Sequence, residues 1–214
     1  MGSGQAIDGG GVRMAQWMMA QDTPSPRPPG RPRDATLDEA ILAATVRQLG
    51  ERGYGGMPIE GIAAGTTAPS LRRRYRNKLK LAMAAIDFMR IEPPPDPEAE
   101  PRAAALAVLE HLRTSMLSRG GMTILGTILA EEHRNPELLD HFRQRLAAPR
   151  RERLRHALAR GVETGRLQDT LDLDAAVSLL IGALTASYLH TGRIPPALAE
   201  TTLTIVWPAR PARP

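Results

Sequence analysis

Leu37, Ile41, Ala44, Thr45 and Leu49 recur at three- and four-residue intervals, and the run stops at Gly50 and Gly53. That spacing puts one face of an α-helix against a core. In front of it, Thr36-Leu-Asp-Glu39 reads as a capping box, with hydroxyl and carboxylate satisfying the first free backbone N–H groups. The same order of cap, helical-period apolar run and Gly or Pro stop returns down the chain, with no strand pattern of any length. Aromatics make up only 3% of residues, so the core must be built from Leu, Ala, Ile, Val and Met. Small aliphatics with few β-branched runs favour helices over sheets. The expected fold class is all-α.

Pro58 suits the first turn of a short second helix through Ile59, Ile62 and Ala63. Gly65-Thr-Thr67 forms a turn, Thr67 can cap, and a third helix runs from Ser70 to Tyr75. Asn77 caps a fourth, with Leu79, Met83, Ile86 and Met89 on one face. Further helices are expected over 102–118 and 123–134. A long one runs over 136–163, capped by Asn135 and kinked or divided by Pro149, and Gly161 and Gly165 close it. The most apolar helix spans 172–190 and stops at Gly192; Pro195 and Pro196 open the last, which reaches Trp207.

Residues 1–34 hold glycines and the stretch 24–33, PSPRPPGRPR, which cannot form a helix or a central strand. The run 92–101, EPPPDPEAEP, is a stiff acidic hinge. The expected organisation is a basic, Pro-rich disordered arm (1–34), a first helical domain (35–90), a hinge (91–101), a second helical domain (102–207) and a frayed tail (208–214). No apolar run reaches the roughly 18 residues needed to span a bilayer, and no signal peptide is expected. With no cysteine, disulfides, thiolate metal sites and a Cys nucleophile are excluded; the composition suits a reducing cytoplasm, the expected location.

The net charge of +5 is unevenly placed. Between Arg27 and Arg90 twelve basic residues face six acidic ones, whereas from Ile91 onward fifteen arginines balance fifteen acids. A basic block beside a neutral remainder is what a phosphate backbone selects, the alternative being a solvated surface.

Helix, turn, short helix, Gly-containing turn and basic helix together describe a helix-turn-helix. Arg52-Gly-Tyr54, Ile62-Ala63 and the run 64–78, AGTTAPSLRRRYRNK, resemble the DNA-binding domain of the TetR family. More weakly, Arg134-Asn-Pro-Glu-Leu-Leu139 and Leu171-Asp-Leu-Asp174 resemble its C-terminal domains. Two features depart from the family pattern. The chain is two residues shorter before Ala64, about 200° of helix rotation, which could re-aim the third helix. Arg72 stands where the family usually has Tyr.

The resemblance implies a ligand-responsive regulator, most often a repressor, that binds a palindromic double-stranded DNA operator as a homodimer, with 35–90 as its helix-turn-helix DNA-binding domain and 102–207 as its helical ligand-binding and dimerisation domain. Thr67, Ala68, Pro69 and Ser70 would bring the recognition helix to base edges. Arg72, Arg73 and Arg74 would read guanine or grip phosphate, with Leu71 and Tyr75 facing the small core. Lys78 would bind a phosphate at a helix N-terminus. Arg31 and Arg33 would enter the minor groove, a plain linker being the alternative. Met116, Met122, Leu125 and Ile128 are candidates to line a pocket for a small apolar or amphipathic effector, with core packing as the alternative. Leu180, Leu184, Tyr188 and Trp207 are candidates for the dimer interface. No HExxH, Walker run, dinucleotide fingerprint or nucleophile elbow is present. No catalytic residue, metal or cofactor is expected; Glu137 and His141, one helical turn apart, are the nearest approach to a ligand pair. The second reading is an all-α dimeric ligand-binding or interaction protein that has lost operator binding through the shortening before Ala64.

Overall fold

The computed structural model describes residues 35–59, 62, 67–89 and 99–208, and every regular element among them is helical. The arm with Arg31 and Arg33, the shortened turn at 63–66, the hinge up to residue 98 and the last six residues lie outside the described residues.

Helix α1 (Ala35–Gly56) buries Ile41, Ala44, Thr45 and Leu49 of the expected face and Val46 beside them, with Leu37 half-buried. Thr36 lies inside its first turn rather than at a cap. Gly53 breaks it with φ 68° and ψ 174°, a backbone region open essentially to glycine alone. The helix expected from Pro58 is not formed at Pro58, Ile59 or Ile62. Instead Ile62 N–H donates to Ile59 O at 3.3 Å in a turn, and Met57 and Ile62 are pulled into the core. Helices α2 (Ala68–Arg74) and α3 (Lys78–Phe88) follow, each capped as expected. Thr67 Oγ1 accepts from Ser70 N, and Asn77 Oδ1 accepts from Lys80 N at 2.9 Å.

Beyond the hinge come α4 (Pro101–Leu117), α5 (Gly121–Ala130) and α6 (Pro136–Phe142). Asn135 holds the cap position of α6, but its amide donates to Glu131 Oε2 at 2.6 Å rather than capping. A π-helical turn (Arg143–Ala147) joins α6 to α7 (Ala148–Glu163) without leaving helical backbone. The cause is Pro149, which has no N–H and crowds the carbonyl four residues back. The ladder widens to an i→i+5 bond, Ala148 N–H to Arg143 O, so the long helix is bulged instead of broken. Helix α8 (Leu173–Thr191) is capped by Asp172 Oδ1 on Ala175 N and stopped by Gly192 at φ 69°. The last helix, α9 (Leu198–Val206), begins after the proline pair.

Two apolar clusters form, and the hinge does not separate them. One joins α4, α7, α8 and α9 through residues such as Leu109, Leu158, Leu180, Leu184 and Leu203. The other joins α1, α2 and α3 to α5 and α6, with Ile124, Ile128, Leu138 and Leu139 packed on Ile41, Leu49 and Ile86. Thr127 Oγ1 also bonds Leu49 O at 3.3 Å. The N-terminal helices present too little apolar surface to close their own core, and post-hinge helices complete it.

Helix α8 corrects one sequence expectation. At 19 residues and mean hydropathy 1.3 it is long and apolar enough, by length and composition, to cross a membrane. Here Ala176, Val177, Leu180 and Leu184 pack into the core. Gly161 is corrected too: it lies within α7, and a Cβ there would come within 2.3 Å of buried Trp207. Gly161→Ala is expected to lower stability by about 1–3 kcal/mol in urea unfolding, because the indole cannot retreat. Gly126→Ala, where a Cβ meets nothing within 4 Å, is expected to raise it by up to about 1 kcal/mol.

Candidate functional site

Helix α2 has two unlike faces. Leu71 turns inward and is 2% exposed, with Tyr75 half-buried against the same cluster. Outward lie Thr67, Pro69, Arg72, Arg73 and, just past the helix, Arg76; Ala68 and Ser70 are half-buried at its start. Leu71 therefore fixes the rotation of the helix, and that rotation decides which residues a partner meets.

Of the expected DNA-contacting cations, Arg74 and Lys78 are tied to α1. Arg74 Nη1 pairs with Asp38 Oδ1 of α1, both side chains being partly buried. Lys78 Nζ donates to Gly55 O at 2.9 Å and lies 5.0 Å from the centre of the Tyr54 ring. Burial first, then the Glu131 and Glu137 carboxylates, push the Tyr54 hydroxyl above its usual range. Lys78 thus closes the C-terminal end of α1, where carbonyls lack helical partners, and Arg74 fastens α2 across α1.

A second feature is a cavity of about 410 Å³ bounded by α4, α5, the α6–α7 region and α8. Met116, Met122 and Leu125 line it, with Leu112, Phe142, Leu146 and Ile181. Ile128 does not: one turn beyond Ile124, it is buried in the cluster with α1 and α3. Met89, at the end of α3, also reaches the cavity wall. Two arginines, Arg150 and Arg151, stand at the wall, and sequence reasoning missed both. In a regular α-helix a four-residue spacing drifts by about 40° per step. The wider π turn removes part of that drift and keeps Phe142, Leu146 and Arg150 on the cavity side. Burial and then neighbouring Arg153 lower the Arg150 guanidinium from its ordinary pKa.

Of the residues expected at the dimer interface, Leu180, Leu184 and Trp207 are at most 4% exposed within one protomer and cannot meet a partner. Tyr188 is half-buried against the same core. The exposed apolar residues of α8 and α9 are instead Leu179 (67%), Leu189 (76%) and Ile205 (77%). With Ala175, Gly182 and Ala186, also exposed, Leu179 and Leu189 make one stripe along α8. The phase was hidden in the sequence because α8 is apolar nearly all round.

Among the described residues no group of three or more His, Asp or Glu could hold a metal ion. His141 turns toward Asp87 rather than Glu137. Its Nε2 lies 3.3 Å from Asp87 Oδ1 without hydrogen-bonding geometry, while Arg145 Nε donates to that oxygen at 2.9 Å.

Residues 95–206 match the family described as "Tetracyclin repressor-like, C-terminal domain". The chain is similar to YdeS of Bacillus subtilis, an uncharacterized HTH-type transcriptional regulator. They are 25% identical over 166 residues, which cover 76% of this chain and 83% of YdeS. Rv1556 of Mycobacterium tuberculosis, of the same description, is 28% identical over 187 residues, covering 81% and 85%. Among solved structures, MexZ of Pseudomonas aeruginosa is similar with a TM-score of 0.65 at 21% identity, over 83% of this chain and 98% of that one. FadR of Bacillus subtilis gives 0.62 at 17%, over 79% and 97%. At these identities the structural likeness speaks to the fold.

Unfolding measurements separate the inward cations from the outward ones. Arg74→Ala or Asp38→Ala is expected to cost up to about 1 kcal/mol, with the double variant costing less than the sum, since the pair is partly open to solvent. Arg73→Ala is expected to stay within about 0.5 kcal/mol of the parent.

Proposed function

The chain belongs to the TetR family of transcriptional regulators, and from that premise we propose that it is a homodimeric, cytoplasmic repressor that reads a palindromic operator through α2 and releases it when a small effector fills the cavity. The observation that carries the DNA reading is the face of α2 opposite Leu71. Pro69, Arg72 and Arg73 lie exposed on a helix whose rotation the core has already set. Arginine's planar fork matches guanine O6/N7 and phosphate oxygens alike.

The exposed stripe of α8, Leu179, Gly182, Ala186 and Leu189, together with Ile205 of α9, is the surface we assign to a second copy. Its small residues allow close helix approach, and so much exposed hydrocarbon on two adjacent helices marks a contact surface. A two-fold dimer would set the two α2 helices for successive major grooves, roughly 34–36 Å apart.

Coupling between ligand and operator requires a ligand that prefers one conformation of the protein. Met89 supports such a link: it lies at the cavity wall and caps the end of α3, which begins three residues after Tyr75 closes α2. MexZ is a key repressor responsible for antibiotic resistance, and FadR was crystallised in complex with stearoyl-CoA; both accord with a ligand-released repressor here. The inward turn of Arg74 and Lys78 favours the second reading, a regulator-like protein that no longer binds an operator, because it leaves fewer cations facing outward.

Selection of bound genomic DNA by the purified protein, followed by salt titration on the selected site, tests these readings. Operator affinity is expected to fall steeply with salt. Arg72→Ala and Arg73→Ala are each expected to cost about 1–3 kcal/mol on the selected site, or to lower the salt slope by about 1 where the contact is a phosphate. Equal, weak binding to every duplex would sink the DNA reading and leave the second. Leu189→Glu with Ile205→Glu is expected to convert a dimer to monomers in sedimentation; an unchanged mass refutes the assigned interface.

A further inference from the structure

The cavity wall carries an imbalance of charge: Arg150 and Arg151 line it and, among the described residues, no carboxylate does. Arg151 donates through both Nη1 and Nη2 to Ser178 Oγ, at 3.3 Å each. Arg150 is differently placed. It is half-buried, and its hydrogen bond runs from Nη2 to Ser115 Oγ, a neutral acceptor, at 3.2 Å. Among the described residues no carboxylate pairs with it, and the charge acting on it most is another cation, Arg153. A guanidinium has five N–H donors in one plane, so a single bond to a hydroxyl leaves a fork free to take a carboxylate two-pronged.

The rest of the wall is largely hydrocarbon, contributed by Leu112, Met116, Met122, Phe142 and Ile181. Charge at one place and hydrocarbon around it complement an amphipathic molecule with one anionic end. At about 410 Å³ the space falls among small-molecule sites, which range over roughly 300–1,000 Å³. An uncharged guest would strip water from the guanidinium and supply no counter-charge. A cationic guest would meet Arg150 and Arg151 together.

We propose that the cavity binds a monoanionic amphipathic acid, its carboxylate held by Arg150 and its apolar body lying among Met116, Met122, Phe142 and Ile181. The inference rests on the effector role assigned to the cavity above and names the chemical class of the effector. The shared chemistry is a carboxylate on a medium-sized hydrocarbon, either a flexible acyl chain or a rigid aromatic acid.

Calorimetric titration of the full chain without DNA tests it, using decanoate, 1-naphthoate and their uncharged partners decanol and 1-naphthalenemethanol. At least one acid is expected to bind about tenfold or more tightly than its alcohol. Decanoate ahead of naphthoate identifies an acyl chain, and the reverse order an aromatic acid. Arg150→Gln is expected to bring acid and alcohol within about twofold of each other while alcohol binding persists, and Arg150→Lys to keep part of the preference. Wild-type acid and alcohol binding alike, an undiminished preference in Arg150→Gln, or no binding by any of the four overturns the inference. Should Arg150→Gln not fold, the wild-type ratio and Arg150→Lys decide. Operator release is scored separately. An acid that binds through Arg150 and leaves DNA bound upholds the inference and defeats the effector reading. A different ligand that releases DNA, while acids and alcohols bind alike, does the reverse.

Discussion

Ile124 and Ile128, one turn apart on α5, pack into the core that holds α1 and α3, and the rest of the molecule is arranged around that contact. They stand more than thirty residues beyond α3, across the acidic Pro-rich segment, yet they close the hydrophobic cluster on which α2 is mounted. Each large aliphatic buried there contributes about 1.5–3 kcal/mol, and α1 to α3 alone could not cover Ile41, Leu49 and Ile86. The consequence is mechanical as well as energetic. Because α5 also forms part of the cavity wall, the cavity and the platform of α2 share one helix.

The second determinant is one proline. Pro149 cannot donate the helical bond its position requires, and the chain answers with a π turn that keeps the backbone helical. Continuity lets α6 serve one core with Leu138 and Leu139 while α7 serves the other with Leu154 and Leu158. It also turns Arg150 toward the cavity. Farther along α7, Gly161 leaves room for Trp207, anchoring the end of α9 against the same helix.

Charge along the recognition segment is divided by geometry rather than by composition. Arg72, Arg73, Arg74, Arg76 and Lys78 are nearly indistinguishable as a string, since each supplies one cation. Once Leu71 is buried, the helical period sends Arg72 and Arg73 outward and sends Arg74 to Asp38. Asn77 then caps α3, and Lys78 reaches back to Gly55 and Tyr54. Arg74 and Lys78 therefore hold the segment against α1, while Arg73 stays exposed on the other side of α2.

What the sequence by itself determined was much of what local physics governs. Helical period placed Ile41, Ala44 and Leu49 inside. Side-chain caps at Thr67 and Asn77 placed helix starts within a residue or two, and Gly53 and Gly192 placed stops, because these depend on neighbours three or four positions away; the side-chain caps expected at Thr36 and Asn135 did not form. The string 64–78 together with its flanking residues carried the family resemblance for the same reason. Tertiary structure alone decided the rest. Whether Pro58 starts a helix, which side of the all-apolar α8 stays exposed, whether Ile128 faces cavity or core, and whether Arg74 or Arg73 meets solvent are all set by what lies opposite in space. Each of these depends on partners tens of residues distant, and burial against them outweighs the small local preferences that a sequence displays.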